Sequence, residues 1–172
     1  SYINVGNVAE LNDAEKFTVN QQHEDALESL KLSKELHPER GDIVKRISLA
    51  KEAVCNQKIN NGNIMLNQNN YDEALKHFRF CKQLLPGFGE TDELISNTIS
   101  LIIDSDLKQA KQFQQNNLYG NSLIHYALVL GYDENNTIAK EGTEYCIQEI
   151  RKKLGYVVGI ALFNSSGSEQ KI

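Results

Sequence analysis

The chain has no tryptophan, a single methionine and only two prolines among its 172 residues. Proline breaks helices because it lacks the donor N–H and clashes with the preceding turn. With Pro38 and Pro86 as the only breakers, long uninterrupted helices are permitted. Cysteine is sparse too. Cys55, Cys81 and Cys146 are odd in number and widely spaced, and no Cys-x-x-Cys pair is present. This excludes a disulfide framework and a thiolate zinc site. It fits a reducing compartment, which favours a cytoplasmic location slightly over a bacterial envelope. Positive charge is not in excess. The formal net charge of -5 argues against binding nucleic acid or anionic lipid, which need a cationic surface. The longest apolar run, residues 156–163, is far short of a bilayer span, so no membrane insertion is expected.

Catalytic motifs are also missing. The four histidines, His23, His37, His77 and His125, form no His-x-x-x-His or His-Glu-x-x-His, so no metal is expected. No Gly-x-Ser-x-Gly, phosphate-binding glycine loop or spaced carboxylate pair appears, and Asp104 and Asp106 read as a cap or a solvated face. The chain is not expected to be an enzyme or to hold a cofactor. Two glycosylation sequons, at Asn135 and Asn164, are matches that an Asn-rich chain produces by chance.

What is present is an internal repeat of 48 residues. Shifting the chain by that length aligns Ala14, Gly62 and Ala110, all small, and Phe17, Met65 and Phe113, all large. His23, Tyr71 and Tyr119 align as rings; Ala26, Ala74 and Ser122 as small residues; Leu27, Leu75 and Leu123 as leucines. Leu30, Phe78 and Tyr126 follow, then Leu36, Leu84 and Tyr132, with Pro38 and Pro86 after the first two and Glu134 after the third.

Each unit reads as helices. Ala26, Leu27, Leu30, Ser33 and Leu36 form a helical stripe, as do Ala74, Leu75, Phe78, Cys81 and Leu84. Ala26, Ala74, Leu30 and Phe78 are expected in the core. Gln21-Gln22-His23 and Asn69-Asn70-Tyr71-Asp72 read as tight turns, with Asp72 the N-cap of the next helix. Residues 42–69 and 91–116 each read as one long helix; the alternative is a break near Asn56 or near Asp104-Ser105-Asp106. The fold class expected is all-α.

These units resemble the tetratricopeptide repeat, a helix–turn–helix with small and large residues at set positions and a closing proline. The matching phrases are Ala14-x-x-Phe17, Gly62-x-x-Met65 and Ala110-x-x-Phe113 in the first helix. In the second they are Ala26-x-x-x-Leu30, Ala74-x-x-x-Phe78 and Ser122-x-x-x-Tyr126, and Asn70-Tyr71-Asp72-Glu73-Ala74-Leu75 is the closest stretch. Two features depart from the family. Glu10, Lys58 and Asp106 stand where it has a tryptophan, and the period is longer than the family's roughly 34 residues. The additional length is about 14 residues, nearly four helical turns, so the first helix of each unit is lengthened without being rotated off its core. The first half of each long helix should then pack on the short helix before it, and the second half on the short helix after it.

The resemblance implies an α-solenoid of about three antiparallel helical hairpins over residues 1–154. Residues 155–172 read as a strand-like segment and flexible tail, with Gly155 ending the last helix. This segment resembles, over a short stretch, the opening strand of bacterial envelope domains of the TolB N-terminal type, and would begin a truncated downstream domain; the alternative is a tail packed on the last helix pair. Both chain ends read as cut.

The resemblance also implies a protein–protein interaction scaffold, binding a partner peptide or helix on the concave face lined by the first helices. The carboxylate clamp of some family members is not expected, because Glu15 would repel a carboxylate where only Asn63 and Lys111 have suitable chemistry. The expected face is amide-rich instead: Asn56, Asn60, Asn63, Asn67, Lys111, Gln114 and Gln115. Neutral amides suit hydrogen bonding to an extended backbone. The alternatives are a solvated helix face without function, a structural spacer linking an envelope-type domain to a larger complex, and a homo-oligomer formed through an uncapped end at Tyr2, Ile3 and Val5.

Overall fold

A computed structural model describes the backbone of residues 9–166 and the side chains of residues 9–155. It contains seven helices among those residues: α1 (Ala9–Val19), α2 (His23–Leu36), α3 (Gly41–Asn67), α4 (Tyr71–Leu84), α5 (Thr91–Gln115), α6 (Tyr119–Tyr132) and α7 (Thr137–Ser166). The fold is all-α. The long helices expected over residues 42–69 and 91–116 are α3 and α5, unbroken at Asn56 and at Asp104-Ser105-Asp106, but they end earlier than expected, at Asn67 and Gln115. Pro38 and Pro86 each lie just beyond a helix, α2 and α4. Tyr2, Ile3 and Val5 lie outside the described residues.

The strand expected at residues 156–163 is corrected: this segment is helical, Gly155 lies inside α7, and α7 continues to Ser166. A lone strand leaves its backbone donors and acceptors without partners, whereas a helix satisfies them within the segment. The final residues of the expected flexible tail, 167–172, lie outside the described residues.

The 48-residue period reappears in the turns. Gln21, Asn69 and Asn117 all adopt the left-handed conformation, with φ of 59°, 58° and 57°. In each case the next residue's N–H reaches back five residues: Gln22 to the Phe17 carbonyl, Asn70 to Met65 and Leu118 to Phe113. This closure ties up helix-end carbonyls that would otherwise lack partners. Asn tolerates the left-handed region better than most residues with a Cβ. The Asn69 and Asn117 amide oxygens also accept from the hydroxyls of Tyr71 (2.9 Å) and Tyr119 (2.7 Å). Because the turn delivers the chain straight into the next helix, α4 starts at Tyr71. Asp72, expected as its N-cap, sits within the first turn, and Asn70 takes the cap position without a side-chain bond. Within that first turn the Asp72 carboxylate complements the positive helix end.

The chain divides into two compact units, Ser1–Thr98 and Ile99–Ile172, with the division inside α5. In the first, Leu11, Ala14, Leu30 and Ile43 form a buried cluster, with Ile47 and Ala50 packed on it. Further along α3, Gly62 lies directly beneath the Phe78 ring of α4. The two halves of α3 thus pack on the helices before and after it, as the repeat length predicts. In the second unit Ala110, Tyr119, Tyr126, Val129, Ala139 and Cys146 form the buried cluster. Ala26, Ala74, Leu30 and Phe78 are all buried, as expected.

Lys58 and Asp106, at equivalent positions of the repeat, both make polar bridges between helices. Lys58 Nζ lies 2.7 Å from Glu24 and over the Phe80 ring, 5.0 Å from its centroid. Asp106 accepts from or pairs with His125 Nδ1 at 2.8 Å, and that imidazole stacks on Phe113.

Candidate functional site

Each unit carries a groove bounded by one helical hairpin and the first half of the long helix that follows. In the first unit it runs between α1, α2 and α3 and encloses about 530 Å³. Ala14, Ala26 and Leu30 form its floor, and Val19, Leu49, Ala50 and Ala53 its apolar sides. Val19 is 82% exposed and Leu49 56% exposed, so two large apolar side chains meet solvent at one opening. Arg46 of α3 crosses to Glu15 of α1 at 3.0 Å and also lies 3.9 Å from Asp42. His23, which aligns with the rings of Tyr71 and Tyr119, lines the same groove.

In the second unit the groove encloses about 350 Å³ between α5, α6 and α7. Lys111, Gln114 and Gln115 form one side, and Ile138, Glu141 and Tyr145 the other. Tyr126 lies across the bottom, its ring against Gly142. Only a residue without a Cβ leaves room for that ring. The Tyr126 hydroxyl donates to Gln114 Oε1 at 2.8 Å. This bond occupies the acceptor of Gln114 and leaves its amide N–H groups to donate. Burial raises the pKa of Tyr126, so the phenol stays neutral and remains a donor. Lys111 is exposed and has no ion-pair partner among the described residues. Tyr145 meets Tyr119 edge-on, with ring centroids 6.1 Å apart, and Lys153 lies over the Tyr119 ring.

The two grooves are the same place in the repeat. Adding two periods to Glu15, Thr18, Val19, Leu30, Arg46 and Leu49 gives Lys111, Gln114, Gln115, Tyr126, Gly142 and Tyr145, and both sets line the respective grooves. The substitutions compensate in size. Where Tyr126 stands in place of the floor residue Leu30, Gly142, against which its ring lies, stands in place of Arg46. The first groove stays larger and more apolar, with its charges paired; the second is smaller and lined by amides, phenols, Glu141 and a lysine that has no ion-pair partner among the described residues.

Of the residues expected on the binding face, Lys111, Gln114 and Gln115 come together in the second groove. Asn56, Asn60, Asn63 and Asn67 are exposed along one edge of α3 and line neither groove. Sequence reasoning missed Val19, Leu49, Tyr126, Gly142 and Tyr145. The signal that could have found Tyr126 and Gly142 is the paired change of Leu30 to Tyr126 and Arg46 to Gly142 two periods apart.

Among the described residues no group of three His, Cys, Asp or Glu is placed to hold a metal ion, and no helix is long and apolar enough to cross a membrane. Compared with known proteins, the chain matches no family model and no curated protein.

Proposed function

We propose that the chain is a tetratricopeptide-like interaction scaffold whose hairpin grooves each hold a segment of a partner protein, as an extended peptide or a helix. The observation that carries this reading is the recurrence of an open groove at one register of the repeat, with a different lining each time. A groove that merely reflected loose packing would have no reason to return with compensating residues at its floor. The first groove, with Val19 and Leu49 at its opening, suits an apolar side chain of the partner. The second, with Lys111 and the donors of Gln114 and Gln115, suits backbone carbonyls and other acceptors. The Asn63 and Asn67 edge of α3 would add contacts outside the grooves.

A displayed random-peptide library selected against the chain tests this. Leu49→Lys blocks the first groove at an exposed position, and Lys111→Ala with Gln115→Ala strips the second, while circular dichroism checks that helicity is retained. Peptides enriched on the wild-type chain should lose at least tenfold in affinity for one of these variants. No enrichment, or equal affinity for all three proteins, would refute groove binding and return the spacer reading.

A further inference from the structure

Two of the three cysteines meet inside the first unit. Cys55, midway along α3, and Cys81, near the end of α4, are both fully buried. Their contacts are reciprocal: Cys81 Sγ lies 3.4 Å from the Cys55 carbonyl oxygen, and Cys55 Sγ lies 3.8 Å from the Cys81 carbonyl oxygen. Each thiol therefore donates to the backbone of the other residue, and the two side chains lie against one another where the helices cross. The equivalent position to Cys81 is Ser33 in the first repeat and Val129 in the third, so the repeat needs only a small side chain there. A thiol at both positions is peculiar to the α3–α4 hairpin.

We propose that Cys55 and Cys81 are a latent redox pair, which a peroxide oxidises to an intramolecular disulfide that locks α3 to α4. The pair is dithiol in this structure. One sulfur, as thiolate, attacks a peroxide oxygen; an S–O bond forms, the O–O bond breaks, and the other oxygen leaves as water once protonated. The second sulfur then displaces the sulfenic hydroxyl as water, forming the S–S bond. The peroxide gains the two electrons the sulfurs lose. Burial sets the timing of this step. It pushes Cys81 up to about 12, with the neighbouring Cys55 thiol adding to the shift, and it raises Cys55 as well. Almost no thiolate exists in the closed hairpin at neutral pH, so the pair resists brief exposure and reacts when α3 and α4 part locally. Because the sulfurs are adjacent when the hairpin recloses, the first oxidation product meets its resolving thiol directly. The bond would fix the half of α3 that carries Asn56, Asn60, Asn63 and Asn67, coupling redox state to the stiffness of that edge.

The test treats the intact chain with hydrogen peroxide in native buffer, removes the peroxide, alkylates remaining thiols in denaturant and digests with trypsin. Lys58, Arg79 and Lys82 place the two cysteines in separate peptides. The expected result is one linked species, containing Cys55 and Cys81, lighter than the two peptides by a pair of hydrogens and cleaved by reductant. The oxidised chain should carry no link between chains and stay helical, with an unfolding midpoint higher by on the order of 10 °C. Cys146→Ser should leave this unchanged, and Cys81→Ser should abolish both the link and the shift. Linkage through Cys146 or between two chains, alkylation of Cys55 and Cys81 as free thiols after prolonged peroxide, or a link that forms only in denaturant would overturn the proposal. So would a link that lowers the unfolding midpoint, since it would mean that the native hairpin does not hold the sulfurs in bonding position.

Discussion

Gly142→Ala should destabilise the second unit even though alanine is the better helix former. In the middle of an exposed helix this change stabilises by about 1 kcal/mol. At this position the added methyl would overlap the Tyr126 ring and come within 2.6 Å of its hydroxyl oxygen. Tyr126 is 2% exposed and its hydroxyl is bonded to Gln114, so the ring cannot swing away without losing that bond and disturbing its neighbours. Overpacking of this kind costs about 1–3 kcal/mol, and the lost hydrogen bond about 1 kcal/mol more. Offset by the gain in helix propensity, the net loss should be about 2 kcal/mol. The companion variant is Tyr126→Leu, which copies the first repeat, where Leu30 and Arg46 line the same groove. It removes the obstacle, so adding Gly142→Ala to it should stabilise by up to about 1 kcal/mol. Urea unfolding followed by far-ultraviolet circular dichroism, run on the four proteins of this cycle, reads the coupling directly. If Gly142→Ala has the same effect in both backgrounds, the ring and the glycine are not a packed pair, and the size compensation between the two grooves loses its meaning.

Other expectations concern single side chains. Ser122 Oγ donates to the Ala110 carbonyl at 2.7 Å in a buried setting, while Ser33 Oγ, at another buried helix contact, has no partner among the described residues. Ser122→Ala should therefore lose about 1 kcal/mol in urea unfolding, whereas Ser33→Ala should be neutral or stabilising; equal losses would contradict this. Gln21 holds a left-handed conformation without a glycine's freedom or the side-chain bond that Asn69 and Asn117 make. Gln21→Gly should raise stability by about 0.5–1 kcal/mol, and Asn69→Gly by less, as measured by thermal unfolding. Cys81 has a folded pKa of about 12 against an ordinary 9.0, so folding favours its protonated form. Its contribution is fully present below pH 9 and is lost as pH rises from there toward 12. Stability measured across that range should fall less steeply for Cys81→Ser than for the wild type; parallel curves would count against the shift.

Much of the architecture was legible because it is written in local interactions. The 48-residue period, the two prolines just beyond α2 and α4, and the small and large residues of each stripe act within a helix or across one hairpin. A helical side-chain pattern needs no knowledge of distant chain, so α3 and α5 could be read as unbroken, and Ala26, Leu30, Ala74 and Phe78 as buried. The turns at Gln21 and Asn69 were both legible as turns, but only Asn69 marks the left-handed conformation by its chemistry, since glutamine does not favour that region as asparagine does.

The tail was misread for a physical reason. Valine, isoleucine and phenylalanine in residues 156–163 favour a strand only where a neighbouring strand supplies hydrogen bonds, and composition does not reveal whether one exists. The candidate site divided along the same line. Lys111, Gln114 and Gln115 were found because all three lie on one helix, within reach of a periodicity argument. Their companions Tyr126, Gly142 and Tyr145 come from α6 and α7, and only packing brings those helices beside α5's end. Asn56, Asn60, Asn63 and Asn67 show the converse: they share an exposed helix face but line neither of the two grooves. The sequence alone determined that this protein is built of helices with a repeating pattern and where most of them end, since those outcomes depend on a residue's near neighbours. Only the tertiary structure decided which faces enclose a cavity, because a cavity is the space left between side chains that are far apart in the chain.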